Sequence, residues 1–472
     1  MEMLLIELNK ESETPLYEQI YEQIRNDITE GKLVVGEKLP SKRKLGEFLD
    51  VSQTTIEIAY GQLAAEGFIT SKPRRGYFVQ EIGELAYVQP LEEMAIVIKE
   101  ERKELEIDFS PGKIDTESFP FKQWRKYAKD TIDEAAQHLL LLGHPHGDVE
   151  LRQEIAKYLY HSRGVDCSAD QIIVGSGTEQ LMPLLIRLLG PKAKYAIEDP
   201  GYPLTHHVFF HNNREAIPIA VDEEGMDVQA LQQSEATIAY VTPSHQFPTG
   251  TVLSAARRTA LLNWAASNVS NFIIEDDYDS EFRYTGRPIP SLQGMDKAGK
   301  VIYVSTFSKS LMPSLRIAYM VLPPVLLKVY EEAFIHYSST VPRLDQHTLA
   351  RFMADGHFAR HLNRMRKVYK RKLQLLTDSL RQFAPTISFS GDEAGMHILI
   401  NVHTDKDEDA LSKAALAKGI RVYAVNEYRK SPKSVQPSFL IGFGGLADDQ
   451  IAWAVERLMD AWNIKKGDGP CN

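Results

Sequence analysis

Polar residues that end five apolar runs carry most of the chemistry expected of this sequence. The runs end in GSGT (175–178), EDPGY (198–202), TPSHQFPTG (242–250), EDDYDSEF (275–282) and STFSKS (305–310). In an open parallel sheet, ligands bind beyond the carboxyl ends of the strands. If each run is a strand of one such sheet, the five polar ends meet at one crevice.

One subset of these residues suits a phosphate. A small-residue turn that opens a helix presents backbone N–H groups to an anion, and hydroxyl groups can add hydrogen bonds. An arginine can bind the same phosphate with two parallel hydrogen bonds. The candidates are Ser176, Gly177, Thr178, Thr306, Ser308 and Arg316.

A second subset suits an aromatic aldehyde. Asp276 can pair with a protonated ring nitrogen, and Tyr278, two residues on, can contact a phenolate oxygen. Lys309 is the one lysine in these stretches, and a partly desolvated lysine beside a cation can attack an aldehyde. Singly, each residue also fits a turn, a solvated acid or a surface lysine. Together, the partners of both subsets describe pyridoxal phosphate.

Residues 1–80 have the pattern of a small helical module that ends in a hairpin. Leu16, Ile20, Ile24 and Ile28 recur every four residues before Gly31, which predicts a first helix and its end. Two further helices should begin after the N-capping residues Ser41 and Ser52. Their apolar faces should comprise Leu45, Phe48 and Leu49 in the second helix, and Ile56, Tyr60, Leu63 and Ala64 in the third, which ends at Gly67.

This layout matches a winged helix-turn-helix, in which the third helix enters the major groove of DNA. Gln53, Thr54 and Thr55 would then face base edges. Phosphate contacts are expected from Lys42, Arg43, Lys44, Lys72, Arg74 and Arg75. The module holds 10 Lys and Arg against 13 Asp and Glu, so only the clustering of its positive charges favours DNA. A helical dimerisation domain with a solvated charge cluster is the alternative.

Composition limits the remaining possibilities. The 472 residues, 43% of them hydrophobic, suffice for about three domains, and we expect a linker at 81–107 before a large domain at 108–465. No apolar run is long enough for a membrane helix and no signal peptide is evident, so we expect a cytoplasmic protein. Cys167 and Cys471 have no metal-binding spacing, and no metal site is predicted.

Residues 36–79 resemble the GntR-type winged helix almost end to end. The stretch is GEKLPSKRKLGEFLDVSQTTIEIAYGQLAAEGFITSKPRRGYFV. The resemblance implies DNA contacts at Arg43, Ser52, Gln53, Thr54 and the wing residue Gly76. Two positions depart from the family: Gln53 replaces a common arginine, and Glu57 is acidic where several members are basic.

Residues 108–465 resemble fold type I aminotransferases, and the whole chain resembles the MocR/GabR family of regulators. The match rests on TFSKSLMPSLR (306–316) and on the three stretches at 198–202, 242–250 and 275–282. The resemblance implies an α/β multidomain protein: an N-terminal winged helix, then a mainly parallel sheet with helices on both faces and a small C-terminal α/β subdomain.

The same resemblance implies roles for individual residues. Lys309 would form the internal aldimine with pyridoxal phosphate, Asp276 would contact its pyridine nitrogen and Tyr278 its phenolic oxygen. Tyr202 would lie near the ring, while residues 176–178, Ser308 and Arg316 would surround the phosphate. A homodimer is implied, arranged head to tail, in which each linker carries its DNA-binding domain onto the partner subunit.

Three departures weaken the case for ordinary transamination. Phe247 stands where working aminotransferases commonly carry asparagine, Leu440 aligns with their substrate-binding arginine and Leu142 with their cross-dimer tyrosine. Loss of a buried carboxylate partner costs about 2 to 5 kcal/mol of binding unless another group replaces it. The possible replacements are Arg421, Arg429 and His245. His144 and His146, near the aligned tyrosine, are expected to be packing or rim residues.

We therefore expect a DNA-binding transcriptional regulator that senses pyridoxal phosphate or an amine, and that controls vitamin B6 synthesis. A regulator responding to an amino acid such as gamma-aminobutyrate or a D-amino acid is the alternative, as is a genuine aminotransferase with a DNA-binding appendage. A constitutive DNA-binding protein with a vestigial pocket is a further possibility. We expect at most aldimine exchange or a half-transamination, and leave sustained turnover open.

Overall fold

The three N-terminal helices begin and end close to the residues that the apolar spacing predicts. In the computed structural model, which describes residues 6–83, 105–133, 137–286, 289–430 and 436–467, the chain forms two compact units, Met1–Glu101 and Arg102–Asn472. Most of the expected linker lies outside the described residues. The domain boundaries at 80 and 107 therefore stay a prediction.

The N-terminal unit consists of three helices and a hairpin. Its elements are α1 (Leu16–Thr29), α2 (Lys42–Leu49), α3 (Gln53–Ala65), β1 (Ile69–Lys72) and β2 (Gly76–Val79). Ser41 Oγ accepts a hydrogen bond from Lys44 N at 3.3 Å, and Ser52 Oγ accepts one from Thr55 N at 3.1 Å. These bonds satisfy backbone donors that the first turn of a helix leaves unpaired, so the two serines determine where α2 and α3 begin.

The core of this unit contains the predicted face of α3. Ile56, Tyr60 and Leu63 are fully buried, as is Leu45 of α2. Phe48 was expected beside Leu45, but it is 50% exposed. The expectation for Phe48 was wrong because α2 is only two turns long and buries a single narrow stripe.

The large unit contains the remaining strands and helices. Its strands are β3 (Ile107–Asp108), β4 (Ile172–Gly175), β5 (Tyr195–Asp199), β6 (Ala216–Asp222), β7 (Gly225–Met226), β8 (Ile238–Val241), β9 (Phe272–Asp277), β10 (Val301–Thr306), β11 (Ala318–Val321), β12 (Ile387–Ser390), β13 (His397–Val402), β14 (Ile420–Arg421), β15 (Tyr423–Ala424) and β16 (Ser438–Gly442). Its helices are α4 (Phe121–Asp133), α5 (Val149–Arg163), α6 (Thr178–Leu189), α7 (Pro203–His211), α8 (Val228–Gln233), α9 (Ala255–Ala266), α10 (Leu292–Met295), α11 (Phe307–Ser310), α12 (Pro324–Ala333), α13 (Arg343–Ala354), α14 (His357–Arg381), α15 (Glu408–Ala417) and α16 (Asp448–Trp462).

The main sheet has eight strands in the order β4-β11-β10-β9-β8-β5-β6-β7. Pairs β10-β9, β9-β8, β8-β5 and β5-β6 are parallel, whereas β11 pairs antiparallel with both β10 and β4. Strands β4, β5, β6, β8, β9 and β10 consequently run in one direction. Their carboxyl ends lie along the same edge of the sheet, although they are distant in sequence.

Helices cover both faces of this sheet. Ile273 and Ile274, adjacent in β9, belong to different apolar clusters because successive strand residues point to opposite faces. Ile273 packs in the cluster that contains Trp264 of α9, and Ile274 in the cluster that contains Leu185 of α6. The apolar residues 272–274 at the start of β9 are thus explained by the burial of the strand on both sides.

A smaller antiparallel sheet forms the C-terminal subdomain, in the order β12-β13-β16-β15. Phe439 and Ile441 of β16 pack in a cluster that also contains Leu376 of α14 and Leu458 of α16. Leu440 lies between them on the opposite face of β16. It therefore points away from these helices and joins a separate cluster with Phe247.

Candidate functional site

A cavity of about 520 Å³ lies at the carboxyl ends of β4, β5, β8, β9 and β10. Residues from all five strand ends line it, together with the segment 110–112 and residues of the C-terminal subdomain. From the strand ends come Gly177, Thr178, Glu179, Tyr202, Thr242, Phe247, Asp276, Tyr278, Thr306, Ser308, Lys309 and Arg316. Nine of the ten residues predicted to bind the cofactor are among them, and Ser176 is not.

Ser176 does not line the cavity, and its backbone N–H already has hydrogen-bond partners. Its backbone N–H lies 3.0 Å from Thr340 Oγ1 and 3.3 Å from Gln180 Oε1. That donor is therefore already occupied, which removes one of the three backbone groups expected to bind a phosphate.

The phosphate end of the cavity is formed where α6 begins. Gly177 precedes the helix with a φ of +148°, and a Cβ there would collide with the guanidinium of Arg316. The backbone at this turn can approach a ligand closely only because residue 177 has no side chain. Arg316 has a left-handed backbone with a φ of 52°, at the end of the short turn that follows Lys309.

Glu179, in the first turn of α6, forms an ion pair with Arg316. Both side chains are about half exposed and both line the cavity. Sequence reasoning missed Glu179, although it stands directly after the glycine turn in GSGTEQL. A phosphate at Arg316 has to compete with this carboxylate.

Two hydroxyl groups complete this end. Thr306 Oγ1 accepts a hydrogen bond from Ser308 N at 3.1 Å and so caps α11, and it lies 2.9 Å from Ser308 Oγ. Both side chains remain partly exposed to the cavity. The short helix α11 places Lys309 one turn beyond the carboxyl end of β10.

Asp276 is a buried acid at the end of β9. Burial raises its pKa to about 7, and the negative charges of Asp277 and Asp279 act in the same direction. The hydroxyl of Tyr240 donates a hydrogen bond to its carboxylate, which partly opposes the rise in pKa. Within the described residues no lysine or arginine forms an ion pair with Asp276, so a cationic ring nitrogen would stabilise its charged form.

Lys309 is partly buried, and its amine points into the same cavity. Burial lowers the pKa of Lys309 to about 8, against the opposing effect of the negative charge of Asp279. Its Nζ donates a hydrogen bond to the carbonyl oxygen of Pro111 at 2.5 Å. A substantial fraction of the amine is therefore neutral near pH 8, which is the form that attacks an aldehyde.

The hydroxyl of Tyr278 contacts His245. It donates to the His245 carbonyl oxygen at 2.9 Å and lies 3.1 Å from His245 Nδ1. His245 Nδ1 is also 2.9 Å from Asp279 Oδ2, and His397 completes a buried cluster whose ligand-type atoms lie within 4.8 Å of one another. Tyr278 lines the cavity. Its hydroxyl already donates a hydrogen bond to the His245 carbonyl oxygen, so its contact with a cofactor oxygen stays a prediction.

Aromatic rings around Phe247 form another part of the cavity wall. The Phe247 ring centre lies 5.2 Å from those of Tyr202 and Tyr428 and 5.5 Å from that of His397. Behind Phe247 lie Val425 and Leu440, both buried. Three lining residues of this wall, His397, Tyr423 and Tyr428, come from the C-terminal subdomain, and no motif in the sequence indicated them.

The proposed replacements for a substrate-binding arginine lie elsewhere. Arg421 is exposed, with its guanidinium 5.3 Å from the Tyr423 ring centre, and neither it nor Arg429 lines the cavity. His245 also lies outside the lining, behind Tyr278. Leu142, aligned with the cross-dimer tyrosine, is 85% exposed.

The residues present fit pyridoxal phosphate. Asp276 is a buried carboxylate without a cationic partner among the described residues, Lys309 is a partly neutral amine, and Arg316 follows a turn at which Gly177 leaves room. A volume of about 520 Å³ lies in the range of small-molecule and cofactor pockets.

The predicted DNA-binding residues of α3 divide into two kinds. Gln53 and Thr54 are exposed at the start of the helix. Ser52 and Thr55 are partly used within the protein, because their hydroxyl oxygens lie 2.8 Å apart and Ser52 caps the helix. The side chains of Gln53 and Thr54 are thus exposed, and their contact with base edges stays a prediction.

The positive residues predicted to contact phosphate lie on α2 and at the hairpin. Arg43 and Lys44 are exposed, whereas Lys42 is partly buried and pairs with Glu57 at 2.6 Å. Glu57 therefore neutralises one of the charges expected to meet phosphate. The hairpin residues Lys72, Arg74 and Arg75 are exposed, and Gly76, with a φ of +105°, is partly buried directly after them.

Comparison with known proteins gives matches for both units. Residues 16–79 match the family described as bacterial regulatory proteins, gntR family, and residues 106–458 match aminotransferase class I and II. Within the described part of the chain, no helix is both long and apolar enough to cross a membrane.

Relatives that match over nearly their whole length are named HTH-type transcriptional regulators. The chain is 42% identical to the uncharacterized HTH-type transcriptional regulator YdeL of Bacillus subtilis, over 97% of this chain and 99% of that protein. It is 31% identical to the HTH-type pyridoxine biosynthesis transcriptional regulator PdxR of Corynebacterium glutamicum, over 98% and 99%. A crystal structure of Pyrococcus horikoshii kynurenine aminotransferase in complex with PMP aligns with a TM-score of 0.68 and 26% identity, over 77% of this chain and 92% of that one.

Proposed function

The chain belongs to the MocR/GabR family of pyridoxal phosphate-dependent HTH-type transcriptional regulators, and from this premise we propose that occupancy of its cavity controls how it binds DNA. The observation that carries the proposal is one cavity lined by Asp276, Lys309 and Arg316 on a chain that also has a gntR-type domain. Control of this kind requires that the ligand bind two arrangements of the protein with different affinity.

The cavity residues have distinct parts in this proposal. Asp276 holds the pyridine nitrogen, Arg316 with the α6 turn and Ser308 holds the phosphate, and Lys309 supplies the amine. When bound, pyridoxal phosphate supplies an aldehyde that primary amines attack. The apolar wall around Phe247 excludes water from that end of the cavity.

DNA binding is assigned to the N-terminal unit, with the exposed Gln53 and Thr54 at base edges and Arg43, Arg74 and Arg75 at phosphates. Aminotransferase-like domains are typically dimeric, so a homodimer is the expected functional form. Such a dimer would bind an operator that contains two half-sites. We propose that its two subunits are arranged head to tail. DNA as the partner also implies a cytoplasmic location.

The proposed effector is pyridoxal phosphate, and the proposed target genes are those of pyridoxine synthesis. Similarity to PdxR supports control of pyridoxine synthesis, with pyridoxal phosphate itself as the signal. Buried Leu440 and Phe247 take the places of two residues that working aminotransferases use for the substrate and cofactor. Their burial supports sensing over transamination, although a half-reaction stays compatible with Lys309.

The decisive experiment measures the affinity of the purified full-length protein for the DNA upstream of its own gene, with and without pyridoxal phosphate. Lys309→Ala should abolish the effect of the cofactor, whereas Lys328→Ala, an exposed lysine that does not line the cavity, should retain it. Borohydride reduction followed by peptide mass analysis should find the cofactor on Lys309. Equal DNA affinity with and without the cofactor would contradict the proposal.

A matched test separates the regulator from an enzyme. The loaded protein is incubated with a panel of amino acids and keto acids, and product is counted per active site. At most one equivalent supports a regulator. Sustained formation of many equivalents would instead establish an aminotransferase with a DNA-binding appendage.

A further inference from the structure

We propose that the part of the cavity around Phe247, here called the effector end, binds primary amines with an aromatic or apolar substituent and rejects their alpha-carboxylated counterparts. The inference rests on the proposed function, in which the cavity also holds pyridoxal phosphate. It concerns only the side chains that contact the effector beyond its nitrogen atom.

Charge is the first support for this selectivity. Among the described residues that line the cavity, the lysine and arginine side chains are Lys309 and Arg316, and both are assigned to the cofactor. His397 also lines the cavity, but burial and the neighbouring His245 and Lys309 lower its pKa well below the usual value. A carboxylate at this end therefore has no positively charged partner among the described residues that line the cavity, apart from the two assigned to the cofactor.

The surface chemistry of the same end is the second support. Phe247 is surrounded by Tyr202, Tyr428 and His397, whose ring centres each lie 5.2 to 5.5 Å from that of Phe247. Leu440 and Val425 pack behind it and are buried. A flat apolar substituent would gain contact area here, whereas a carboxylate would lose its hydration without compensation.

The hydroxyl of Tyr423 does not restore polarity to the wall. It donates to Asp108 Oδ1 at 3.0 Å, and the other carboxylate oxygen of Asp108 lies 2.9 Å from Lys113 Nζ. Arg421 packs against Tyr423 but is exposed. The hydroxyl is consequently directed to Asp108, so the Tyr423 ring presents an apolar face.

The test uses 2-phenylethylamine and L-phenylalanine, which differ only in the carboxylate. Full-length protein is loaded with pyridoxal phosphate, loading is verified by absorbance, and each compound is titrated at one pH while the cofactor spectrum and DNA affinity are recorded. We expect the amine to bind at least about thirtyfold more tightly, because an unpaired buried carboxylate is strongly unfavourable. Equal or tighter binding of phenylalanine would overturn the inference.

Variants at Leu440 test the same idea in reverse. Leu440→Arg should raise the affinity for phenylalanine relative to the amine, whereas Leu440→Met, which keeps an apolar side chain, should preserve the wild-type ratio. If the arginine variant fails to fold, the wild-type ratio decides alone. Protein that loads the cofactor but responds to neither compound refutes the inference and leaves the cofactor-sensing function standing. Protein that does not load contradicts the proposed function itself.

Discussion

Replacement of Glu179 with glutamine is expected to tighten the binding of pyridoxal phosphate. The Glu179 carboxylate pairs with Arg316 at the end of the cavity assigned to the phosphate. A phosphate group carries a charge of about −1.5 to −2 at neutral pH. The phosphate must therefore displace the Glu179 carboxylate from Arg316 and then remain close to that carboxylate.

The exposure of the pair limits the size of the effect. Side-chain exposures of 48% for Arg316 and 47% for Glu179 place the pair in a strongly screened environment. Such an exposed pair contributes about 0.2 to 1 kcal/mol, and removal of the residual repulsion from the phosphate adds a similar amount, which gives about 0.4 to 2 kcal/mol together. Because about 1.4 kcal/mol corresponds to tenfold in affinity, Glu179→Gln should bind the cofactor about two- to thirtyfold more tightly.

Equilibrium titration of cofactor-free protein, followed by absorbance, measures this directly. The gain should shrink as the salt concentration rises, since screening weakens both terms. Glu235→Gln is the matched control, because Glu235 also forms an exposed ion pair, with Lys194, and does not line the cavity. Unchanged or weaker binding by Glu179→Gln, at low salt, would refute the reasoning.

Three further predictions concern other parts of the chain. The rate of cofactor attachment at Lys309 should rise with pH and level off above about 8, because burial lowers the pKa of its amine to about 8 and only the neutral form reacts; a stopped-flow pH profile checks this. Gly177→Ala should weaken cofactor binding at least about tenfold, because the new Cβ would collide with Arg316; wild-type affinity in the same titration would contradict it. Ser52→Ala should lower the free energy of unfolding by about 0.5 to 2 kcal/mol through loss of the helix cap, whereas Gln53→Ala should leave stability unchanged and relax base preference, as measured by denaturation and by binding to operator variants.

Local sequence patterns predicted the N-terminal unit well. The four-residue spacing of Leu16 to Ile28 and the capping serines Ser41 and Ser52 act within a few residues of chain, so the positions at which these helices begin and the faces they bury are encoded locally. Phe48 is the exception, since its exposure depends on how α2 packs rather than on its own period.

Strand patterns likewise predicted which stretches carry polar ends, but not their contacts. Glu179 and Arg316 are 137 residues apart in sequence, and Tyr278 meets His245 across two strand ends. Such pairs depend on the order of strands in the sheet, which no local pattern encodes.

The sequence by itself determined the two-part architecture and the set of residues from which a cofactor site could be built. The tertiary structure decided that Glu179 pairs with Arg316, that the Tyr278 hydroxyl donates a hydrogen bond to the His245 carbonyl oxygen and that Phe247 packs against Leu440. The physical reason is range: caps and periodicities act between near neighbours, whereas the charge balance and apolar lining of a cavity arise from segments that only folding brings together.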